Sequence, residues 1–274
     1  MSQLIVPPPG KRGLRGAIGR RGIYILPNLF TTGALFAGFF AIVQAMNDQW
    51  EIAAVAVFVA MVLDGLDGRV ARLTRTQSEF GAEYDSLSDM VSFGAAPALI
   101  MYEWALKPLG RIGWIAAFAY CAGAALRLAR FNTNIGVVDK RFFQGLPSPA
   151  AAALVVGLVW VMDDAGFRQA SQIGWLAWLA FGVTLYAGLS MVTNAPFYSF
   201  KVVGGRRTVP FVVLVGIALA IALIALDAPK ALFGIFCLYG LSGYVVYGWR
   251  KMKGKPVSVI ATSIDEPDEK GLHQ

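Results

Sequence analysis

The sequence predicts an all-α integral membrane protein with about eight transmembrane helices. Three observations carry that expectation. The 274 residues are 57% hydrophobic and only 15% charged, with a mean hydropathy of +0.58. The charges are clumped, and many of the stretches between them reach the roughly 20 residues that cross a bilayer. Inside those stretches the apolar residues do not alternate with polar ones as barrel strands would. Helices and closed barrels are the only spanning structures that satisfy the backbone in lipid, so the runs are read as helices.

Residues 1–23 form a basic arm containing PPPGKRGLRGAIGRRG, expected at the membrane surface. The length and basicity of this stretch do not suit a cleavable leader. Spans are then expected at 25–46, 52–69, 82–104, 112–131, 147–162, 174–195, 209–226 and 231–249. Residues 253–274 are polar, carry Asp265, Glu266, Asp268 and Glu269, and read as a disordered tail. Trp50, Trp104, Trp114, Trp160, Trp175 and Trp249 lie near span ends, as interfacial anchors do. Glycine and alanine recur within the spans, which lets helices approach closely.

The net charge of +7 does not point to nucleic acid, because the cations sit in short loops beside apolar runs. With the N-terminus inside, cytoplasmic segments hold 20 of the 24 lysines and arginines. The other side holds only Lys107, Arg111, Arg168 and Lys230. This bias places both termini in the cytoplasm, and the membrane would be the inner one if the cell is bacterial. Cys121 and Cys237 both fall within apolar runs and suit packing better than a disulfide or a zinc site. His273, the single histidine, lies in the tail, which argues against histidine catalysis.

The informative stretch is DGLDGRVARLTRTQSEFGAEYDSLSD, residues 64–89. Asp64 and Asp67 are three apart and share a helix face, at the cytoplasmic end of the second span. Asp85 and Asp89 are four apart and share a face near the start of the third. Two antiparallel helices would bring the four carboxylates together. Carboxylates so close repel one another, and acids at membrane depth mark function by default. Mg²⁺ bound by carboxylates together with substrate phosphates fits this ligand set. One ion or two stays open, since paired metals also serve phosphoryl displacement. Gly65, Gly68 and Gly81 would let a nucleotide diphosphate approach the helix backbone, and Arg72 offers a fork of donors for phosphate oxygens. Taken singly, the glycines read equally as packing residues and the arginines as inside-facing anchors.

Together, Asp64, Gly65, Asp67, Gly68, Ala71, Arg72, Gly81, Asp85 and Asp89 resemble the signature of the CDP-alcohol phosphotransferases. The resemblance implies transfer of a phosphoryl-linked group from a CDP-linked donor to an alcohol, with release of CMP. It implies a six-helix core, here residues 24–201, with 202–252 as an added helix pair, and assembly as a homodimer. It also implies that Asp64, Asp67, Asp85 and Asp89 bind a divalent metal, Mg²⁺ or Mn²⁺. Asp89 would serve in addition as general base on the acceptor hydroxyl. Gly68, Arg72 and Gly81 would lie along the CDP moiety.

Four further stretches, LPNLFTTGALFAGF, EFGAEYDSLSDMVSFGAAPA, RLARFN and FQGLPSPAAAA, are similar to the membrane-embedded phosphatidylserine synthases within that family. They imply CDP-diacylglycerol as donor and L-serine as acceptor. A serine carboxylate needs a cation, and Arg127 and Arg130, followed by Asn132, would supply an acceptor or lipid-phosphate site. The same arginines read equally as membrane anchors. Asn28 and Thr31 would contact the cytidine, or cap a helix. The nearest rival keeps the chemistry and changes the acceptor to glycerol 3-phosphate, inositol phosphate or choline. A cation transporter is a more distant one, disfavoured because its acids would spread through the membrane depth.

Overall fold

The computed structural model describes residues 14–74, 76, 78–133, 142–168, 174–199 and 211–253. The expected polar tail beyond residue 253, and the arm before residue 14, lie outside them. Helix α1 spans Leu14–Met46 and α2 spans Trp50–Thr74. The first helix therefore starts inside the stretch expected to be an arm and runs on through Pro27. A tight turn joins the pair, with Asp48 at a φ of 56° and Asn47 Nδ2 donating to Val43 O at 2.9 Å. Ala34, Ala37, Ala41 and Ala45 of α1 and Ala53, Ala54, Val57 and Ala60 of α2 are all buried. Small side chains allow backbones to close on one another where lipid gives no hydrophobic drive.

The third rod is segmented. Helix α3 spans Glu79–Asp89, a π-helical turn follows at Met90–Ala95, α4 spans Ala96–Met101, and a second π turn covers Tyr102–Leu106. Two serines tie this rod to α1: Ser88 donates to Thr31 O at 3.1 Å and Ser92 to Ala34 O at 3.0 Å. Gly38 permits the approach, because a Cβ there would lie 2.7 Å from Ser92 Cα. Helix α5 spans Arg111–Thr133, α6 Ser148–Asp164, α7 Gly174–Val192, α8 Phe211–Leu226 and α9 Ala228–Met252.

Helix α6 is the hub. Every residue from Ala150 to Val159 is buried, as expected of a helix that is apolar all round. It packs against α2, α4, α7 and α9. Phe58 of α2 stacks near both Trp160 and Phe236, with ring centroids 5.8 and 6.2 Å apart. Helix α8 packs on α9 and exposes Leu214, Leu219 and Ile221.

The chain is thus mostly helical, with one small addition that the sequence reading had not assigned. Strand β1, Phe142–Gln144, pairs antiparallel with β2, Pro196–Tyr198, in the register Phe143 to Phe197. Among the described residues, four helical segments are long and apolar enough to cross a membrane: Pro27–Met46, Arg111–Thr133, Gly174–Val192 and Ala228–Met252. The other expected spans are shorter or carry more charge. Helix α2 loads acids and arginines onto its last turns, the third rod is broken by wide turns, and α6 and α8 have 17 and 16 residues.

Candidate active site

Ser78 begins the site by capping α3. Its hydroxyl accepts from Gly81 N at 3.0 Å, which satisfies one of the free amides at a helix start. The link from α2 is short, with Thr76 N donating to Ala71 O at 3.0 Å. The acid-bearing ends of α2 and α3 therefore face each other. Oxygens of Asp64, Asp67 and Asp85 all lie within 4.8 Å of one another.

Each acid has its own surroundings. Asp67 is only 5% exposed and accepts a hydrogen bond from Thr31 Oγ1 at 2.8 Å. Asp85 Oδ1 is buried and accepts no hydrogen bond among the described residues. A buried, unpaired carboxylate oxygen is costly. Three carboxylates that meet within 4.8 Å, one of them with an unsatisfied buried oxygen, suit a hard divalent cation bound by oxygen, so the residues present fit a metal. Asp89, one turn beyond Asp85 on α3, is in side-chain hydrogen-bond contact with Asp64 and lies within electrostatic reach of Asp85 and Arg127.

Beside the trio opens a cleft of about 180 Å³, lined among others by Asn28, Thr31, Asp67, Arg72, Gly81 and Asp85. The glycines of the motif separate here. A Cβ on Gly65 would meet nothing within 4 Å among the described residues, and one on Gly68 would meet only Arg72 Nη1 at 3.7 Å. Among the described residues neither packs against another helix. A Cβ on Gly81 would lie 3.1 Å from Ser78 Oγ and 3.5 Å from Asn28 Oδ1. Gly68 and Gly81 both line the cleft.

One expectation about α1, the helix cap, is corrected. Asn28 and Thr31 lie well inside α1, so neither caps a helix start. Thr31 is buried and its hydroxyl points at Asp67, so it orients an acid. Asn28 and Thr31 both line the cleft.

The three candidate acceptor residues also diverge. Arg127 donates through Nη1 to Ser148 Oγ at 2.7 Å and faces Asp89 and Asp64. Arg130 turns to the end of α7, donating to Val192 O at 2.9 Å and to Asn194 Oδ1 at 3.3 Å. A cation at a helix C-terminus satisfies free carbonyls and the helix dipole. Asn132 Nδ2 donates to Ser86 Oγ at 2.9 Å. Ser148, Thr76 and Ser78 were not foreseen as site residues. Single hydroxyls such as these carry no spacing signal.

Helical rods that carry paired acids, open-faced glycines and a phosphate-suited arginine beside one cleft have the make-up of a membrane-embedded transferase. The chain belongs to the CDP-alcohol phosphatidyltransferase family, whose sequence profile matches residues 24–186. A Helicobacter pylori protein named CDP-diacylglycerol–serine O-phosphatidyltransferase is 38% identical over 223 residues, covering 81% of this chain and 92% of the relative. A protein of the same name from Methanocaldococcus jannaschii is 32% identical over 192 residues, covering 69% and 82%. One from Mycobacterium tuberculosis is 39% identical over 173 residues, covering 61% and 59%.

Proposed function

We propose that this protein transfers the phosphatidyl group of CDP-diacylglycerol to the hydroxyl of L-serine, giving phosphatidylserine and CMP. The observation that carries the reading is the carboxylate trio of Asp64, Asp67 and Asp85 at the rim of the cleft. The shared names of the relatives support the choice of serine.

Asp64, Asp67 and Asp85 would hold Mg²⁺ or Mn²⁺, whose charge neutralises a diphosphate and eases departure of CMP. Thr31 fixes the rotamer of Asp67. Arg72, with Gly68 and Gly81, admits and pairs the diphosphate in the cleft. Asp89 takes the proton of the serine hydroxyl as that oxygen bonds to the lipid-linked phosphorus and the bond to CMP breaks. Arg127, held by Ser148, pairs the serine carboxylate. Catalysis then comes mainly from placement and fixed charge, as in other phosphoryl transfers.

The same reading places the acids and both termini on the cytoplasmic side, by the distribution of lysine and arginine. It takes eight helices as spans and the active form as a homodimer. Purified protein is to be incubated with CDP-diacylglycerol, metal and one candidate alcohol at a time, with CMP and the lipid product measured. Serine should support turnover. Turnover with glycerol 3-phosphate, inositol phosphate or choline but not serine would overturn the assignment.

A further inference from the structure

The wide π turn at Met90–Ala95 begins at the residue after Asp89. Turns of this kind arise where the usual i to i−4 ladder is interrupted. The interruption here is Pro97, which stands in the first turn of α4. Proline has no N–H, and its ring presses on the carbonyl four residues earlier. That carbonyl belongs to Phe93. It accepts instead from the hydroxyl of Tyr120 on α5, at 3.0 Å.

Tyr120 is held firmly at its own position. It has no exposed surface. Its helix is in backbone contact with α7: a Cβ on Gly123 would lie 2.5 Å from Gly188 O, and one on Gly188 would lie 2.7 Å from Tyr120 Cα. The π turn also rests directly on α5, where a Cβ on Gly94 would lie 3.2 Å from Ala124 Cβ.

The wide turn matters for the acids. Each residue advances an α-helix by about 100°. A turn that holds one extra residue therefore offsets the faces on either side of it by about that angle. Helix α4 is fixed by Ala96, Ala98, Ile100 and Met101, all buried. If the turn closed to an ordinary α-helix, α3 would have to rotate. Asp85 would then swing away from Asp64 and Asp67.

We propose that Tyr120 is a positioning residue: its hydrogen bond to Phe93 O fixes the geometry of the π turn that Pro97 opens, and with it the rotation of the acid-bearing helix α3. The proposal rests on reading the carboxylate trio as a metal site. It adds that a residue on α5, outside the acid motif, governs how well that site is formed.

The test is Mn²⁺ binding by the purified full-length protein, read by electron paramagnetic resonance, alongside thermal stability and CMP release. Tyr120→Phe removes only the hydroxyl. Its Mn²⁺ dissociation constant should rise about tenfold, the scale seen when a group that orients metal ligands is lost, while KM for serine is unchanged. The double variant Pro97→Ala/Tyr120→Phe restores an N–H for Phe93 O and guards against a single variant that fails to fold. It should regain stability yet still bind Mn²⁺ weakly, because the restored bond closes the turn. Wild-type affinity in either variant would overturn the proposal, since Tyr120 would then only satisfy a carbonyl. Wild-type protein that binds no Mn²⁺ would overturn the metal reading, and this proposal with it.

Discussion

Replacing Thr31 with valine isolates one contact. Valine keeps the shape of the side chain and deletes the hydroxyl that donates to Asp67 at 2.8 Å. Asp67 is buried, so water cannot replace the lost donor at no cost. A hydrogen bond to a charged group contributes about 1.5–3 kcal/mol. The same hydroxyl also lies 3.2 Å from Pro27 O, so its single proton is shared and the lower end applies. About 1.5 kcal/mol is a little over tenfold in an equilibrium constant. Initial rates of CMP release, measured against Mn²⁺ concentration, should show the midpoint of activation raised about tenfold. The rate at saturating metal should change little. Thr31→Ser, which keeps the hydroxyl, should behave like the parent. A valine variant with the parent's midpoint would show that Thr31 does not orient the acid.

Asp89→Asn should abolish turnover while Mn²⁺ binding persists, because the Asp64, Asp67 and Asp85 oxygens that meet within 4.8 Å are all retained; thermal melting and metal titration check both halves. Arg127→Ala should raise KM for serine at least tenfold, the scale of a lost charge-assisted hydrogen bond, and leave KM for CDP-diacylglycerol unchanged. Arg130→Ala should do the reverse of a kinetic lesion: a stability loss of about 1–3 kcal/mol from unpaired carbonyls at the end of α7, with both KM values near those of the parent. Gly68→Ala should fold normally, since its Cβ meets only Arg72 Nη1 at 3.7 Å, yet raise KM for CDP-diacylglycerol by filling the cleft.

The helices and the acids were legible because both are written in local spacing. Apolar runs of bilayer length do not depend on partners, and Asp64, Asp67 and Asp85 needed only helical geometry and one turn to meet. What was not legible depends on contacts between distant segments. Arg127 and Arg130 are three apart on one helix and look alike in sequence. They differ only because Ser148 lies beside the first and the end of α7 beside the second. Thr31 resembled a cap because it lies near the start of the span expected at 25–46, but α1 begins at Leu14. The π turns were hidden for a similar reason: Pro97 signals an interruption, but only Tyr120 on another helix shows how it is resolved. The pairing of β1 with β2 joins residues that fifty positions of helix and loop separate.

The all-round enclosure of α6 bears on how the chain is assembled during synthesis. This segment leaves the ribosome before α7 and α9, which later cover two of its sides. Until they arrive, its alanine-rich flanks must be sheathed by lipid or by the insertion machinery. The last helix closes the sheath: Phe233 lies against Gly157, where a Cβ would be 3.3 Å from its ring. A chain stopped before Ala228 would therefore leave the innermost segment bare, and quality-control proteases would meet a gap in the middle of the bundle instead of a frayed end.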